Sequence, residues 1–420
     1  MEWNIPPNIT NSNQRSSTSS SKSSSTMLNN LTHYTQILQG NKYNKATINT
    51  SNLLFLKKRE FDIFYSTKYK YPLLVAETIT AMTGMTDPNH PFIDRRQIED
   101  PFRQDPTIPF NLQHTLEDYK AYMEYGGSMG HNAPAGQHKT NMDVYSETFV
   151  LTNITPQEMV FNSGLWVLME QWCRYLGRNS RLKRVMVFTG SIPARLDSEF
   201  NGVIMNVPSK MFKIICFQMQ ENPDICHLEI FLCHNKPYNV DYSVSRYDLS
   251  HYLVPHTPQA IVQFQRESGV DIKKLLEYYK FSSSKIKSFR SHLNISINLN
   301  SVVRLQMKKS HWFGRIIYAR DLATLESEWT KCQKFATEFQ NLQFHQEYYE
   351  LAKRRIQRGS RISRTMHTIY TRETMLAAAS KSSRYTPDIL IQKRRTRRKT
   401  LSKMKKNKTK KERTTISRKS

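Results

Sequence analysis

Short apolar runs bounded by glycine, proline or asparagine follow one another through the middle of the chain, between residues 147 and 234. Runs of this length and with these borders are typical of strands in a mostly antiparallel sheet. In chain order they are ETFVLTN, RVMVFTG, NGVIMNVP, KMFKIICFQ and DICHLEIFLCH. A further run rich in aromatic and β-branched residues begins at Phe61 and predicts that folded structure starts near this residue.

One segment between the first two runs has the period of a helix. Within NSGLWVLMEQWCRYLG, residues 162–177, apolar side chains recur at spacings of three and four, and Gly177 ends the pattern. The apolar positions are Leu165, Leu168, Met169, Trp172 and Leu176. A helix among antiparallel strands predicts an α+β domain, which we assign to residues 58–280.

The flanks differ from this domain in composition. Residues 1–57 are rich in serine, threonine and asparagine and have too few apolar positions to form a core, which predicts a disordered arm. Residues 281–378 include a stretch with helical periodicity at 321–357 that contains neither proline nor glycine, so we predict a mainly helical extension. Residues 379–420 are predicted to form a disordered basic tail.

The net charge of the chain indicates what kind of partner it binds. The chain has 62 Lys+Arg against 35 Asp+Glu, a formal net charge of +27, which indicates a polyanionic partner such as DNA or RNA. From Lys393 onward, 15 basic residues stand against the single acid Glu412. Without the net +14 of this segment the remaining chain still carries +13, so nucleic-acid binding is expected of the folded part as well. A merely solvating tail is the alternative interpretation.

No membrane association is predicted. The chain has no run of about 18 apolar residues, and its N-terminus lacks the basic and apolar regions of a secretory signal. The five cysteines lack CxxC spacing, which argues against a disulfide framework or a zinc ribbon, and a strand would place Cys226 and Cys233 on opposite faces as core residues. The basic tail favours a nucleus, the cytoplasm or a DNA-containing viral particle over a mitochondrion, since residues 1–30 differ from an arginine-rich transit peptide.

Candidate chemistry lies at the turn GGSMGHNAPAG, residues 126–136, and on the helix described above. Asn162 and Glu170 are eight residues apart, about two helical turns, and therefore share one side of the helix. Arg174 follows Glu170 by four residues and lies beside it. Taken alone, His131 is a structural or solvated histidine, Asn162 an N-cap and Glu170 a solvated face residue. Glu170 nevertheless falls next to the apolar stripe, which these interpretations do not explain.

Three segments in this order resemble a known family. They are GHNAPAG, SETFVLTNITPQ and FNSGLWVLMEQWCR, and they are similar to the turn, the strand and loop, and the helix of the DNA/RNA non-specific endonucleases. These are the ββα-metal nucleases, which include endonuclease G. Segments on either side extend the similarity to about residues 60–275. The resemblance implies an α+β fold with a ββα-metal nuclease domain, whose mostly antiparallel central sheet is flanked by helices.

The resemblance also implies a mechanism with one histidine and one metal ion. His131, neutral at working pH, would take a proton from the water that attacks the phosphorus. Asn162 would bind Mg²⁺ directly and Glu170 would hold waters in its shell, and Mn²⁺ would be able to replace Mg²⁺. The ion would stabilise negative charge on the phosphoryl group and on the departing 3′ oxygen.

The remaining candidate residues fix the site or bind phosphate. The resemblance groups Asn153 and Arg174 with the histidine as catalytic residues. Asn153 would hold the site in shape, and Arg174 or one of Arg95 and Arg96 would contact phosphate. Nucleic-acid binding is assigned to Arg95, Arg96 and Arg103. Members of this family are often homodimers, so a homodimer is a candidate assembly.

One departure from the family lies two positions before His131. The family has Asp-Arg before Gly-His, whereas this chain has Ser128-Met129. Loss of a charge-assisted contact to phosphate lowers a rate by a factor on the order of 10² to 10³. Two functions are therefore open: a Mg²⁺-dependent endonuclease acting on DNA and RNA, or a catalytically weak or inactive nuclease-like protein that binds or packages nucleic acid. A Ser-His hydrolase built on Ser128 is disfavoured, because no oriented acidic partner is visible in the sequence.

Overall fold

The computed structural model describes residues 52–80, 93, 98, 101–238, 240–281, 286–287, 295–336 and 343–359. The predicted basic tail and most of the predicted N-terminal arm lie outside the described residues.

A mostly antiparallel sheet of seven strands runs through the described chain. The strands are β1 (Leu53–Lys57), β2 (Phe61–Ser66), β3 (Tyr71–Ile79), β4 (Gly127–His131), β5 (Ile154–Glu158), β6 (Leu182–Ile192), β7 (Ser198–Phe200), β8 (Val203–Met205), β9 (Lys210–Met219), β10 (Cys226–His234), β11 (Arg246–Asp248), β12 (Ile286–Lys287) and β13 (Ser296–Asn298). The seven-stranded sheet has the order β1-β2-β3-β6-β9-β10-β12, and β12 runs parallel to β10 whereas the other neighbours are antiparallel. Separate two-stranded ribbons are formed by β4 with β5, β7 with β8 and β11 with β13.

Helices cover both faces of this sheet. The helices of the described chain are α1 (Leu116–Met123), α2 (Met142–Glu147), α3 (159–177), α4 (Pro258–Ser268), α5 (Ile272–Tyr278), α6 (Ser301–Ile317), α7 (Leu322–Ala336) and α8 (Gln343–Gln357). Helix α3 is continuous and consists of Met159–Phe161, a π-helical turn at Asn162–Trp166, and Val167–Gly177. It buries Trp172 against one face, while α4 and α5 bury Phe264 and Leu275 against the other. Because both faces are covered, β6 and β9 are apolar along most of their length instead of alternating. The predicted α+β class with a mostly antiparallel sheet is confirmed.

The helix predicted at residues 162–177 is present and begins earlier, at Met159. The carboxylate of Glu158 caps it by accepting hydrogen bonds from the backbone amides of Val160 at 2.9 Å and Phe161 at 2.6 Å. Asn162 lies inside the helix, so its interpretation as an N-cap is wrong.

Two of the five predicted strands are built differently. In ETFVLTN the backbone forms a 3₁₀ turn at Leu151–Asn153 and the strand begins only at Ile154, because the Asn153 side chain bonds to nearby backbone and holds a turn. NGVIMNVP belongs to the β7–β8 hairpin, whose turn residues Asn201 and Gly202 have positive φ angles of 50° and 84°. The other three runs form β6, β9 and β10, as predicted.

The folded part begins before residue 58. Strand β1 lies within the range 1–57 that was predicted to be disordered, yet it pairs with β2 along its whole length. Its Phe55 ring packs edge-on against Phe64 with centroids 5.5 Å apart, and Leu53 is buried. A short apolar segment becomes ordered when it pairs with a neighbouring strand. Strand β1 therefore belongs to the folded part, and the predicted boundary of the arm at residue 57 is wrong.

Among its described residues, the range predicted as a helical extension, 281–378, contains the helices α6, α7 and α8. It also contributes two short strands that the sequence did not predict. Strand β12 joins the central sheet beside β10, and β13 pairs with β11. The extension therefore shares hydrogen bonds with the domain that precedes it.

All five cysteines are buried and unbridged. Cys226 and Cys233 belong to the cores on opposite faces of the sheet, as the strand period predicts. Within the ranges that the structure describes, no helix combines the length and apolar character needed to span a bilayer.

Candidate active site

The predicted histidine lies at the end of strand β4, which pairs with β5 along its whole length. Alternation along the strand puts Met129 and His131 on one face and Ser128 and Gly130 on the other. A Cβ at Gly130 would lie 2.2 Å from the side chain of Gln157, so the strand needs glycine at this position for the ribbon to close.

Two phenyl rings hold the imidazole of His131. Its centroid lies 5.4 Å from that of Phe102 and 5.0 Å from that of Phe149, in a tilted and an edge-to-face arrangement. Both phenyl rings are buried, whereas His131 is partly exposed. Packing therefore orients the ring, and Nε2 is buried although the residue as a whole is partly exposed.

Asn153 is fully buried and fixes the turn that follows the histidine. Its Nδ2 donates to the carbonyl oxygens of Ala133 at 2.9 Å and Thr148 at 2.8 Å, and its Oδ1 accepts the Ala133 amide at 2.9 Å. Asn132 adds a hydrogen bond from its Nδ2 to the Asn153 carbonyl oxygen at 3.0 Å. Since the side-chain amide of Asn153 forms hydrogen bonds to backbone groups on both sides, Asn153 stabilises the conformation of this turn.

Asn162 is tied to the histidine strand through Ser128. The Ser128 hydroxyl donates to the carbonyl oxygen of Gln157 at 3.1 Å and accepts a hydrogen bond from Asn162 Nδ2 at 3.1 Å. Since the Ser128 proton is committed to Gln157, the Asn162 amide must donate here, and its oxygen becomes the end available to a ligand. Asn162 is partly exposed and is the first residue of the π-helical turn.

Glu170 and Arg174 lie one turn apart on α3, beside the turn that follows β4. Arg174 Nη1 is 3.5 Å from the position that a Cβ on Gly136 would take, and Gln137 Nε2 donates to the Glu170 carbonyl oxygen at 3.2 Å. Burial raises the pKa of Glu170 to about 6, although the positive charges of Lys213 and Arg174 oppose the rise. The carboxyl group is therefore ionised at neutral pH and becomes neutral in mild acid.

Lys213 is a buried charge close to the candidate site that the sequence motifs do not include. It is fully buried in the middle of β9, where its Nζ donates to Thr189 Oγ1 at 2.7 Å and lies 4.5 Å from the centroid of the Trp166 ring. A lysine inside the apolar run KMFKIICFQ was the available signal, because a buried cation requires an opposite charge. Its effect on Glu170 makes it an electrostatic partner of the candidate site.

A second missed group is a buried histidine between two carboxylates. His138 Nδ1 lies 2.8 Å from Glu60 Oε2, and Nε2 lies 2.9 Å from Glu77 Oε2. Burial alone would lower the pKa of His138, but hydrogen bonds and charges from the two carboxylates outweigh it and raise the pKa to about 9. The imidazole is a cation at neutral pH. Glu77 within the apolar segment LLVAETIT was the signal in the sequence.

The predicted nucleic-acid-binding arginines are only partly located. Arg95 and Arg96 lie outside the described residues. Arg103 is exposed, and its backbone amide donates to the Phe149 carbonyl oxygen at 3.3 Å. Because Phe149 packs against His131, the backbone of Arg103 lies close to the candidate site.

Met129 takes part in an apolar cluster. Met129 packs against this cluster, whose buried members include Phe102, Tyr122 and Phe149. Met129 shares a strand face with His131, so the position at which the family has an arginine makes an apolar contact here.

The donor set fits a hard divalent cation. Asn162 offers an amide oxygen and Glu170 a carboxylate, and both are ligand types of Mg²⁺, which keeps several waters of its own. The described part of the chain holds no group of three or more His, Cys, Asp or Glu side chains placed to bind a metal. A cation at this site would therefore depend on Asn162 and on retained water.

Comparisons with known proteins give the family. A profile of the DNA/RNA non-specific endonuclease family matches residues 39–260. The mitochondrial nuclease EXOG of Danio rerio is 28% identical over 263 residues, which cover 58% of this chain and 70% of that protein. EXOG of Homo sapiens is 28% identical over 273 residues, which cover 59% of this chain and 71% of that protein.

Among solved structures, the EndoG/EndoGI complex matches with a TM-score of 0.45 and 22% identity, covering 63% of this chain and 98% of the matched chain. The family profile spans more than half of the chain. The chain therefore belongs to the DNA/RNA non-specific endonuclease family and is a nuclease.

Proposed function

We propose that this nuclease is a Mg²⁺-dependent endonuclease that hydrolyses phosphodiester bonds of DNA and RNA, with His131 as the general base. The observation that supports this most directly is the link between β4 and α3. His131 ends the strand, and Ser128 of the same strand accepts the hydrogen bond that orients Asn162. One short strand thus carries the proposed base and orients the proposed metal ligand.

Each proposed residue has a task that its surroundings support. Neutral His131 takes the proton of the attacking water at a ring nitrogen, while Phe102 and Phe149 keep the ring in place. Asn162 and Glu170 would hold Mg²⁺, with Mn²⁺ as a substitute. When bound, such an ion supplies positive charge beside the phosphate.

The other site residues act on shape and on phosphate. Asn153 keeps the turn after His131 closed through its bonds to Ala133. Arg174 binds phosphate oxygens in a bidentate manner. The nucleic-acid strand extends over the remaining arginines, Arg95, Arg96 and Arg103.

A second candidate function is a nuclease-like protein with weak or no cleavage that binds or packages nucleic acid. The contact of Met129 with an apolar cluster favours it, because the charge-assisted phosphate contact of the family is missing at this position. In this case the basic chain would still bind nucleic acid with strong salt dependence.

Incubation of the full chain with supercoiled plasmid or with RNA separates these functions. We expect nicking in Mg²⁺ that stops with EDTA and in His131→Ala. Intact plasmid and intact RNA after prolonged incubation with Mg²⁺ or Mn²⁺ would overturn the proposal, and tight binding without cleavage would support the second function. Cleavage of DNA alone would remove RNA from the substrates.

Assembly and compartment stay predictions. The homodimer rests on the family resemblance, and light scattering of the purified chain tests it. The two EXOG relatives are named as mitochondrial, whereas the basic tail favours a nucleus, the cytoplasm or a DNA-containing particle. A fluorescent fusion of the full chain decides between these compartments.

A further inference from the structure

The helical extension reaches the helix that carries the proposed metal ligand. Helix α6 and the residue after it direct three polar side chains toward residues 158–163, at the beginning of α3. These side chains are Gln306, Ser310 and Tyr318. The extension is therefore in direct contact with the frame of the candidate active site.

The first contacts fall on the π-helical turn of α3. A π turn interrupts regular α-helical hydrogen bonding and changes the partners of nearby carbonyl groups. The Ser310 hydroxyl donates to the Val160 carbonyl oxygen at 3.1 Å, and Gln306 Nε2 donates to the Ser163 carbonyl oxygen at 3.1 Å. Since Val160 and Ser163 flank Asn162 in sequence, α6 fixes the backbone on both sides of the proposed ligand.

Packing at this contact is tight. Ser310 is buried, and its Oγ lies 2.9 Å from Ser163 Oγ. The same oxygen lies 2.9 Å from the position that a Cβ on Gly164 would take. Glycine at this position therefore allows α6 to come close enough to form its hydrogen bonds to the turn.

A second contact, made by Tyr318, joins the residue before α3 to the residue before β4. The Tyr318 hydroxyl donates to Glu158, the residue that caps α3. Ring atoms of Tyr318 lie about 3 Å from the position of a Cβ on Gly126, whose φ is 90°. Arg355 of α8 donates to the Ile317 carbonyl oxygen at 2.5 Å and so fixes the end of α6.

We propose that Ser310 and Gln306 are positioning residues for the metal site, which hold the π-helical turn in the shape that presents Asn162 to the cation. The inference rests on the proposed function, because it takes Asn162 as the metal ligand. It gives the extension a role in catalysis that requires no contact between the extension and the substrate.

Mn²⁺ binding to the full chain tests this role without relying on cleavage. A titration followed by the electron paramagnetic resonance signal of free Mn²⁺, in wild type and Asn162→Ala, defines the Asn162-dependent site. Ser310→Ala and Gln306→Leu are each expected to raise the dissociation constant of that site about tenfold, the lower end of the effect of residues that orient metal ligands. Ser301→Ala, at an exposed serine of the same helix, is the matched control and should change nothing.

A double variant separates packing from hydrogen bonding. Gly164→Ala is expected to lower Tm, because the added methyl group meets Ser310 Oγ. Ser310→Ala in the same chain relieves this contact, since the Ser310 Cβ lies 3.7 Å from the new methyl group. The double variant should regain Tm and still bind Mn²⁺ as weakly as Ser310→Ala alone, because the hydrogen bond to Val160 is missing.

Unchanged Mn²⁺ affinity in Ser310→Ala and Gln306→Leu would overturn the inference and leave the proposed function intact. Full recovery of affinity in the double variant would also overturn it, because packing alone would then account for the effect. If wild type shows no Asn162-dependent Mn²⁺ site, the proposed function fails and the inference fails with it.

Discussion

His138 Nε2 lies 2.9 Å from Glu77 Oε2, so a buried ion pair ties the loop after the candidate base to strand β3 of the central sheet. Glu60 closes the other side of the imidazole at 2.8 Å. Removal of one member of a buried pair leaves a charge without compensation, which commonly costs about 3 to 5 kcal/mol of stability. Hydrogen bonds of Asn153 thus stabilise the beginning of the segment after His131, and the ion pairs of His138 stabilise its end.

Stability is expected to fall as pH rises through about 9. The pKa of His138 is about 9 in the folded protein and about 6.5 in an unfolded chain. A raised folded-state pKa means that the stabilising charge is fully present below about pH 6.5 and is lost as pH rises through about 9, a change on the order of 3 kcal/mol. Urea unfolding over this pH interval measures the loss.

His138→Gln, which cannot titrate, is the control for this experiment. The difference in the free energy of unfolding between wild type and His138→Gln should shrink as the pH increases. Parallel curves for the two proteins would contradict a charged His138.

Cleavage is expected to fall as pH drops through about 6, where Glu170 takes up a proton and stops holding metal-bound water. Lys213→Met removes a positive charge that opposes the rise of the Glu170 pKa, so the acidic midpoint of kcat/KM should move to higher pH. Plasmid cleavage at a series of pH values gives both midpoints. If folded Lys213→Met keeps the wild-type midpoint, a group other than Glu170 causes the loss of activity in acid.

Met129→Arg is expected to increase the cleavage rate by a factor on the order of 10². The change places a cation on the strand face of His131, where it can contact the phosphate that is attacked. Met129→Leu keeps the apolar contact and should leave the rate unchanged. If folded Met129→Arg cleaves no faster than wild type, Met129 does not limit the rate.

Gly130→Ala is expected to destabilise the chain by about 1 to 3 kcal/mol, the usual range for overpacking a core. The new methyl group would lie 2.2 Å from the Gln157 side chain, which is fully buried. Thermal unfolding measures the effect. Gln157→Ala in the same chain should restore part of the loss, and a double variant no more stable than Gly130→Ala would argue for a backbone cause.

Long apolar patterns made a large part of the fold predictable. Helix α3 and strands β6, β9 and β10 are buried over many consecutive turns or pairs, so their periods appear directly in the chain. The β7–β8 hairpin could also have been predicted from the sequence, because Asn201-Gly202 is a strong turn signal that outweighs the apolar residues after it.

The candidate site was predictable as residue types in order, and its supporting contacts were not. His138 meets partners that are 78 and 61 residues away in sequence, and Ser310 meets Ser163 over a separation of 147 residues. Spacing rules act over a few residues, whereas these contacts exist only once the sheet and the extension have come together. The π-helical turn is likewise set by packing, since no residue type in NSGLW is specific to it.

Strand β12 belongs to the extension by its place in the sequence and to the central sheet by its hydrogen bonds. Ile286 and Lys287 pair with Cys226 and His227 of β10, so the sheet itself crosses the boundary at residue 280. Heat or denaturant that opens this edge of the sheet removes a neighbour from β10. The central sheet of this nuclease is therefore completed by a strand from beyond residues 39–260, the segment that the family profile outlines.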